Sequence, residues 1–414
     1  MALNYIWIAF FLIAFFIALV KLVLLGDVTA FETLVQGLFD STKSSVVDIA
    51  LPFIGTIAFW LGIMNIGEKA GAIRFLSRIV GPFFNRLFPE VPKDHPATGQ
   101  MMMNFSANLL GLDNAATPLG LKAMASLQDL NPDKETASNA QIMFLVLHTS
   151  GLTLLPISII AQRAIMKAHD PTDIFIPCII GTYVATVVGL LAVAVRQRIN
   201  LLDRVVLLWL GGLTTFIALL VWCFSAYLNH DQISIVSKVA SNLLLYLIPV
   251  LFICGGLYKK VNVFEAFVEG AKGGFDTAVR IIPYLVAMLA AISVFRNSGA
   301  LGYIVDCFKW LFGLFNVDTR FTDALPVAFM KPLSGSGARA MMLDIMKPEN
   351  FGPDSFVGRL ACIFNGSADT TFYIVALYFG SVGIKKTRYA IPAGLIADLA
   401  GVIAAIFIAY LFFG

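Results

Sequence analysis

The chain has 414 residues, of which 58% are hydrophobic, 12% aromatic and only 13% charged, and its mean hydropathy is +0.83. An ordinary soluble domain has roughly 25% charged residues, so this composition excludes a soluble enzyme, a disordered chain and a nucleic-acid binder. The formal net charge of +3 is too small for a phosphate-binding surface. The five cysteines lie singly in apolar stretches, so they predict neither a zinc site nor a disulfide framework, and no cofactor is expected.

Apolar stretches long enough to cross a bilayer recur along the chain. A spanning helix needs about 20 apolar residues; seven segments reach this length, and two more are shorter or interrupted by polar residues. The seven are 5–25, 46–66, 142–165, 174–195, 205–224, 240–257 and 389–413, and the two are 278–294 and 356–380. The first lacks a basic n-region and a cleavage site, so it is predicted to be a retained helix. The sequence therefore predicts an all-α polytopic membrane protein.

Four clusters of Lys and Arg set the predicted orientation. Basic residues accumulate in cytoplasmic loops, and the clusters lie at 69–93, 196–204, 259–260 and 385–388. Placing all four inside gives one consistent path through the membrane. This path predicts a cytoplasmic N-terminus and an external C-terminus.

An internal repeat divides the chain into two similar parts. Phe31-Glu-Thr-Leu-Val-Gln-Gly37 recurs as Phe264-Glu-Ala-Phe-Val-Glu-Gly270, and Ala-Gly71-Ala recurs as Ser-Gly299-Ala. The first copy begins outside and the second inside, so the repeats are predicted to have inverted topology, a pattern typical of secondary transporters. The predicted organisation is a first repeat at 1–198, linking helices at 199–258 and a second repeat at 259–414.

Each repeat contains one region that is too polar and too interrupted for a simple spanning helix. In the first, 97–121, Gly111-Leu-Asp113-Asn114-Ala-Ala-Thr117-Pro118 places a helix breaker in mid-segment. A re-entrant hairpin is predicted here, with Thr117 as the N-cap and Pro118 as the first residue of a second half-helix. A half-helix N-terminus inside the membrane presents free amides to a polar or anionic solute group, while the preceding free carbonyls suit a cation.

The second such region, 324–346, has the same predicted form. Its breaker is Lys331-Pro-Leu-Ser334-Gly-Ser336-Gly-Ala-Arg339, and Ser336 is the predicted cap of the second half-helix. An intramembrane charge tends to mark a substrate pathway, so Arg339 is a candidate for solute binding. A structural pair between Arg339 and a carboxylate is the competing interpretation.

Two spans, one in each repeat, are predicted to break at their centres. The first carries His148-Thr-Ser150-Gly, and the second carries Asn365-Gly-Ser367-Ala-Asp369-Thr370. Asp369 is the strongest candidate because an intramembrane carboxylate costs on the order of 3 kcal/mol, whereas Ser and Thr often bond their own or a neighbouring helix. The predicted solute-binding residues are Asp113, Asn114, Thr117, His148, Thr149, Ser150, Ser334, Ser336, Arg339, Asn365, Ser367, Asp369 and Thr370.

The two hairpin regions carry a family resemblance. The stretch Leu110-Gly-Leu-Asp-Asn-Ala-Ala-Thr-Pro-Leu-Gly-Leu-Lys-Ala-Met124 resembles bacterial spore maturation protein A, and Leu325-Pro-Val-Ala-Phe-Met-Lys-Pro-Leu-Ser-Gly-Ser-Gly-Ala-Arg339 resembles spore maturation protein B. The chain thus resembles a fusion of the two, which carry the nucleoside-recognition or gate domain also met in concentrative nucleoside transporters. The resemblance implies a bacterial inner-membrane protein with paired hairpins and broken helices.

The leading functional hypothesis is a secondary transporter of a small polar solute, held near the midplane between hairpin tips and broken helices, with or without a coupling ion. The alternatives are a non-transporting scaffold for envelope or spore-cortex maturation, and a cation or metal permease. No set of nucleophile, base and orienting group is evident, so an enzyme is not predicted. The expected partners are the solute and the lipid bilayer, without nucleic acid, and homo-oligomerisation stays open.

Overall fold

The structure is a computed structural model that describes residues 2–92, 94–111, 113–227, 230–315 and 317–414. Within these ranges the chain is helical apart from its turns, loops and one isolated bridge between Thr136 and Lys386. The helices are α1 (Ala2–Leu25), α2 (Ala30–Ser44), α3 (Leu51–Ala70), α4 (Ala72–Leu87), α5 (Pro96–Leu109), α6 (Asp113–Leu130), α7 (Asn139–Ser150), α8 (Ile157–Ile165), α9 (Phe175–Gln197), α10 (Arg204–Tyr227), α11 (His230–Tyr258), α12 (Val263–Asn297), α13 (Ala300–Gly313), α14 (Leu325–Met330), α15 (Gly335–Ile345), α16 (Phe356–Gly366), α17 (Thr371–Ser381) and α18 (Ala390–Phe413). A π-helical turn, Ser45–Ala50, joins α2 to α3, and a 3₁₀ turn, Arg320–Ala324, precedes α14.

Six described stretches are long and apolar enough to cross a membrane, and a bent pair of helices makes up to seven. The six are Asn4–Leu25, Ala30–Ala70, Phe175–Gln197, Val239–Tyr258, Phe356–Ser381 and Ala390–Phe413. The bent pair, Leu285–Asn297 with Ala300–Gly313, turns by 68°. These stretches confirm the predicted all-α polytopic membrane protein.

The two halves of the sequence fold through the same order of elements. In each half a long helix is followed by an amphipathic helix, a helical hairpin, an interrupted helix and a final long apolar helix. The paired glycines Gly71 and Gly299 both have positive φ, +90° and +93°, and each directly precedes the amphipathic helix. Glycine adopts this left-handed backbone without a Cβ penalty, so the glycine of each matched motif makes the turn into the amphipathic helix. The inverted orientation of the two repeats stays a prediction.

The chain divides into two compact units, each built from separated segments. Unit 1 comprises Met1–Phe59, Ser158–Pro171 and Ala271–Asn365, and unit 2 comprises Trp60–Ile157, Thr172–Gly270 and Gly366–Gly414. Both units draw on both halves of the sequence. The predicted boundaries at 198 and 258 concern sequence repeats, so they stay predictions.

Unit 2 is organised around α7, whose residues from Ala140 to Ser150 are all buried. The helix begins with a capping box, in which the Gln141 N–H donates to Ser138 Oγ and the Ser138 N–H donates to Gln141 Oε1. It ends at Gly151, whose φ of +55° stops the helix. Helices α5, α6, α9, α17 and α18 all pack on α7, so its polar residues lie in the interior of this unit.

Unit 1 has a different interior, made by α1, α12 and the short helices of the second hairpin. Phe10 and Phe295 stack with ring centroids 4.3 Å apart, and Trp7 Nε1 donates to the Ala287 carbonyl at 3.0 Å. The hairpin helices α14 and α15 pack on each other. Arg163, on α8, is fully buried.

Both hairpins differ from their predicted caps. Helix α6 begins at Asp113, so Thr117 lies inside the helix and does not cap it. The turn is made instead by Gly111, whose φ is +68° and whose missing Cβ leaves room for the Leu155 carbonyl oxygen, which a Cβ would approach to 2.5 Å. The prediction that Thr117 is an N-cap is therefore wrong, because the glycine ends the preceding helix early enough for α6 to start sooner.

In the second hairpin the cap is two residues earlier than predicted. Ser334 has extended backbone angles, and its Oγ accepts the Gly337 N–H at 3.0 Å. Ser336 lies in the first turn of α15, with its Oγ 3.2 Å from Ser334 Oγ. The prediction of Ser336 as the cap is wrong, because only the residue with extended backbone can turn its side chain back onto the first free amides.

Two contacts in unit 2 join segments that carry the predicted cytoplasmic charge clusters or lie next to them. Lys69 and Glu269 form an ion pair, and the Lys385 N–H donates to the Glu135 carbonyl at 2.9 Å. Each contact joins segments that the charge pattern places on one side. Which side faces the cytoplasm stays a prediction.

A candidate solute site where two helix breaks meet

Two interrupted helices meet at their breaks inside unit 2. Helix α7 ends at Ser150, and α17 begins at Thr371 after a non-helical segment, as the sequence predicts for both spans. The Asp369 N–H donates to the Thr149 carbonyl at 2.7 Å. Because the last four carbonyls of a helix have no partner within it, this bond satisfies one of them. We call this junction the break seam.

His148 lies in the last turn of α7 and faces the break seam. Its side chain is 3% exposed, and its Nε2 lies 3.8 Å from Asp369 Oδ2. The Asp369 side chain is 46% exposed, and its Oδ1 accepts the Thr370 N–H at 2.7 Å. The site thus sets a buried imidazole beside an accessible carboxylate, where a solute that reaches Asp369 also comes within reach of His148.

Helix α5 supplies two amides to the other ring nitrogen of His148. Asn108 Nδ2 lies 2.8 Å from His148 Nδ1, and Asn104 Oδ1 lies 3.1 Å from the same atom. Asn104 is almost completely buried, and its Nδ2 donates to the Ala116 carbonyl at 2.6 Å. Residues four apart share one face of a helix, so α5 presents both amides together.

Tyr378, on α17, closes the cluster from a fourth element. Its hydroxyl lies 3.3 Å from His148 Nε2 and 3.4 Å from Nδ1, and its ring stacks on Phe144 at 5.9 Å between centroids. The tyrosine fits only because residue 120 is glycine: a Cβ there would lie 1.9 Å from the Tyr378 hydroxyl. Asn104, Asn108, Tyr378 and Gly120 were not predicted as site residues.

The tip of the first hairpin packs against the chain that follows α7. The Leu154 N–H donates to the Leu109 carbonyl at 2.8 Å, and Gly111 lies against Leu155. In unit 2 the described residues next to this tip therefore contact the chain that follows α7, and a solute site between hairpin tips and broken helices stays a prediction. The Asp113 and Asn114 side chains lie outside the described residues.

Some of the predicted hydroxyls bond their own helix. Thr149 Oγ1 donates to the Val146 carbonyl at 3.1 Å, and Ser150 Oγ donates to the Leu147 carbonyl at 3.3 Å. Such bonds satisfy a hydroxyl in an apolar interior. Thr149 contributes to the break seam through its main chain, whereas Ser367 and Thr370 are buried next to Asp369 in sequence.

The remaining predicted residues belong to unit 1. Ser334 caps α15, Ser336 and Arg339 lie on that helix, and Asn365 is buried near the end of α16. Within the described residues, no group of three or more His, Cys, Asp or Glu side chains is placed to hold a metal ion.

Unit 1 also contains a buried arginine that was not predicted. Arg163 Nη1 donates to the Pro353 carbonyl at 2.5 Å, and Nη2 donates to the Asp170 carbonyl at 3.0 Å. Asp354 Oδ1 lies 3.3 Å from Nη2, and Asp354 Oδ2 accepts the His169 N–H at 2.9 Å. This cluster joins the loop after α8 to the loop before α16.

A fold of interrupted helices that carry polar residues through apolar spans is typical of membrane proteins that recognise solutes. The family model described as "Gate: Nucleoside recognition" matches residues 50–166 and 278–385, which is more than half of the chain. The chain belongs to this family, and it is a polytopic membrane protein.

Two relatives from Bacillus subtilis (strain 168) indicate which members of the family the chain is similar to. It is 47% identical to spore maturation protein B over 187 residues, 45% of this chain and 97% of that protein. It is 41% identical to spore maturation protein A over 150 residues, 36% of this chain and 76% of that protein. These matches confirm the resemblance to a fusion of A and B. No solved structure matches.

Proposed function

We propose that the chain is a secondary transporter that binds a small polar solute at the break seam. The observation that carries the proposal is the half-exposed Asp369 carboxylate beside buried His148, at a point where two helices are interrupted. Interrupted helices offer free main-chain groups to a solute, and intramembrane ionisable residues mark solute pathways. The family description, nucleoside recognition, supports a solute with hydrogen-bonding groups.

The chemistry of the site restricts the class of solute. Asp369 accepts hydrogen bonds or pairs with a cationic group, and Gly151 lies beside it, since a Cβ at residue 151 would be 3.4 Å from the Asp369 amide nitrogen. A nucleoside or another neutral or zwitterionic solute with N–H and O–H donors suits this set. Ser334, Ser336, Arg339 and Asn365, which lie in unit 1, are not part of the break seam, and a role for them in solute binding stays a prediction.

A ligand screen by thermal shift tests the proposal. Purified protein is heated with nucleosides, amino acids, dicarboxylates, Na⁺ or divalent cations. A ligand at about 100 times its Kd stabilises the folded state by about 2.7 kcal/mol, so a true solute raises the apparent Tm. Asp369→Asn is expected to abolish this rise.

The matched control is Asp129→Asn, the same change at an exposed position near the end of α6 in the same unit. It is expected to respond to the solute like the wild type. If Asp369→Asn retains the full response, the break seam does not bind the solute.

The second candidate function is a membrane scaffold in spore or envelope maturation. It is favoured by the names of both relatives, which describe maturation, and by the closed hydrogen-bond network around His148. A complete screen with no hit, followed by no solute uptake in proteoliposomes, would transfer support to the scaffold.

We also propose a location in a bacterial inner membrane, with the N-terminus in the cytoplasm and the C-terminus outside. The four basic clusters support this orientation. Alkaline phosphatase fused after Gly414 is expected to be active, because this enzyme folds only outside the cytoplasm. An inactive phosphatase together with a fluorescent cytoplasmic reporter at the same position would reverse the orientation.

A further inference from the structure

The Nδ1 atom of His148 has two partners of opposite type. Asn108 Nδ2, a donor, lies 2.8 Å away, and Asn104 Oδ1, an acceptor, lies 3.1 Å away. A neutral imidazole with a bare Nδ1 is served by the donor, and an imidazolium, which carries hydrogen on both nitrogens, is served by the acceptor. The acceptor also serves a neutral imidazole that carries its hydrogen on Nδ1, so the two partners together fit a ring that changes its tautomer or its protonation state.

The acceptor role of Asn104 is fixed by a separate contact. Its Nδ2 donates to the Ala116 carbonyl at 2.6 Å. Since a carbonyl oxygen only accepts, the amide nitrogen of Asn104 must face Ala116, and its oxygen must face His148. Helix α5 therefore carries an acceptor that a neutral ring with a bare Nδ1 cannot use.

The Nε2 side of the ring faces the charge that stabilises a proton. Among the described residues, the titratable groups in contact with His148 are Asp369, 3.8 Å from Nε2, and Tyr378, whose hydroxyl lies within 3.4 Å of both ring nitrogens. Helix α5 offers its two neutral amides. On α18, the Asp398 carboxylate accepts the Thr371 hydroxyl at 2.7 Å. Burial of the ring disfavours the charged imidazolium, and the nearby Asp369 carboxylate favours it.

We infer that His148 and Asp369 form a reversible proton-binding pair, and that this proton is the coupling ion of the proposed transporter. On binding, a proton from water joins the lone pair of Nδ1, which then donates to Asn104 Oδ1 in place of accepting from Asn108. The imidazole becomes an imidazolium, Asp369 remains a carboxylate, and the net charge of the pair changes from −1 to zero. The coupling role rests on the proposed function.

This proton acts directly on the break seam. Asp369 carries both the carboxylate that faces His148 and the N–H that bonds the Thr149 carbonyl, and Thr149 follows His148 in α7. The protonated pair attracts across the seam, whereas the neutral ring leaves the carboxylate available to a solute. Proton and solute therefore compete for the same carboxylate, which is the requirement for exchanging one against the other.

Solid-state NMR of the full chain in liposomes measures the proton binding without any solute. The protein is labelled with ¹³C,¹⁵N-histidine, and His148→Gln identifies the His148 signals among the four histidines. Between about pH 5 and about pH 9, the His148 ring is expected to pass from imidazolium to neutral, with a bare Nδ1 in the neutral form.

Two variants are expected to lower the pH at the midpoint of this titration, and a third is expected to raise it. Asp369→Asn removes the opposite charge and lowers the midpoint by about one pH unit or more. Asn104→Leu removes the acceptor of the protonated form and also lowers it, whereas Asn108→Leu removes the donor to the neutral form and raises it. Asp129→Asn, the exposed control, leaves the midpoint unchanged.

The inference is overturned if wild-type His148 keeps one protonation state over the whole range, a result that needs no variant to fold. It is also overturned if Asn104→Leu and Asn108→Leu shift the midpoint in the same direction. A titrating His148 in a chain that binds no solute would refute the transporter but keep the proton site. A solute response in a chain whose His148 keeps one protonation state would refute the proton coupling but not the transporter.

Discussion

Two consecutive helices, α7 in unit 2 and α8 in unit 1, each carry a buried basic residue, and the surroundings of the two residues differ. Arg163, on α8 in unit 1, donates to two main-chain carbonyls and faces Asp354, and none of its side chain is exposed. His148, on α7 in unit 2, has a donor and an acceptor at one nitrogen and a half-exposed carboxylate near the other. Arginine is always charged, so fixed carbonyl acceptors suit it.

The comparison shows that a basic residue inside a membrane protein is not functional merely because it is there. Arg163 is held in one state by acceptors from two loops, which is a structural role. His148 has one partner for a bare Nδ1 and another for an Nδ1 that carries hydrogen, which fits its proposed role in proton binding. The hydrogen-bond partners of the two side chains distinguish them.

The largest expected effect is the loss of stability when Arg163 is replaced, which tests its structural role. Arg163→Leu removes the donor to the Pro353 and Asp170 carbonyls and leaves Asp354 with a weaker partner, Arg359, at 3.9 Å. Hydrogen bonds from a charged donor contribute about 1.5 to 3 kcal/mol each, and two are lost here, so the apparent Tm in detergent should fall by several degrees. Arg74→Leu, at an exposed position on α4, should change stability by less than about 0.5 kcal/mol. Equal stability of the two variants would refute the structural role of Arg163.

The next largest effect tests whether Gly120 makes room for Tyr378 in the polar cluster around His148. Gly120→Ala places a Cβ 1.9 Å from the Tyr378 hydroxyl and 2.9 Å from Asn104 Nδ2. Overpacking of this kind costs about 1 to 3 kcal/mol, and the displaced tyrosine should also alter the NMR signals of His148. Gly99→Ala is the matched control in the same hairpin, because a Cβ there meets nothing within 4 Å. Unfolding measurements that give both variants the same stability would show that Tyr378 is not held by Gly120.

A smaller effect distinguishes the two serines of the second hairpin. Ser334→Ala removes the cap of α15 and should cost about 1 kcal/mol. Ser336→Ala leaves that cap in place and should cost less than about 0.5 kcal/mol. Paired unfolding curves measure the difference, and the reverse order would restore Ser336 as the functional cap.

The sequence predicts the interrupted helices well because their signals are local. Gly151 and the run from Gly366 to Thr370 are helix-breaking wherever they are placed, and the structure ends helices at both. The exact caps at Thr117 and Ser336 were wrong because each hairpin offers several polar residues within one turn. Only the backbone angles of the folded chain select the residue that caps.

The partners of His148 depend on tertiary contacts that one sequence does not specify. Asn104 and Asn108 have the spacing of one helix face, a signal that could have marked them as a pair in an apolar segment. Nothing local connects them to His148, about 40 residues away, or to Tyr378 on α17. Arg163 was overlooked because it lies within an otherwise apolar stretch.

The last variant, Asp369→Asn, is expected to change stability little, and it tests the difference between a binding residue and a structural residue most directly. Asp369→Asn keeps an oxygen for the Thr370 N–H and leaves the main-chain bond to Thr149 untouched. Its side chain is 46% exposed and lies 3.8 Å from His148 Nε2, so the change should alter the free energy of unfolding by only about 0.5 kcal/mol. A solute response that disappears while stability stays near that of the wild type is the result expected of a binding carboxylate. A loss of stability as large as that of Arg163→Leu would instead show that Asp369, like Asp354, has a structural role. Neutralising a carboxylate is that costly only where the fold depends on its charge.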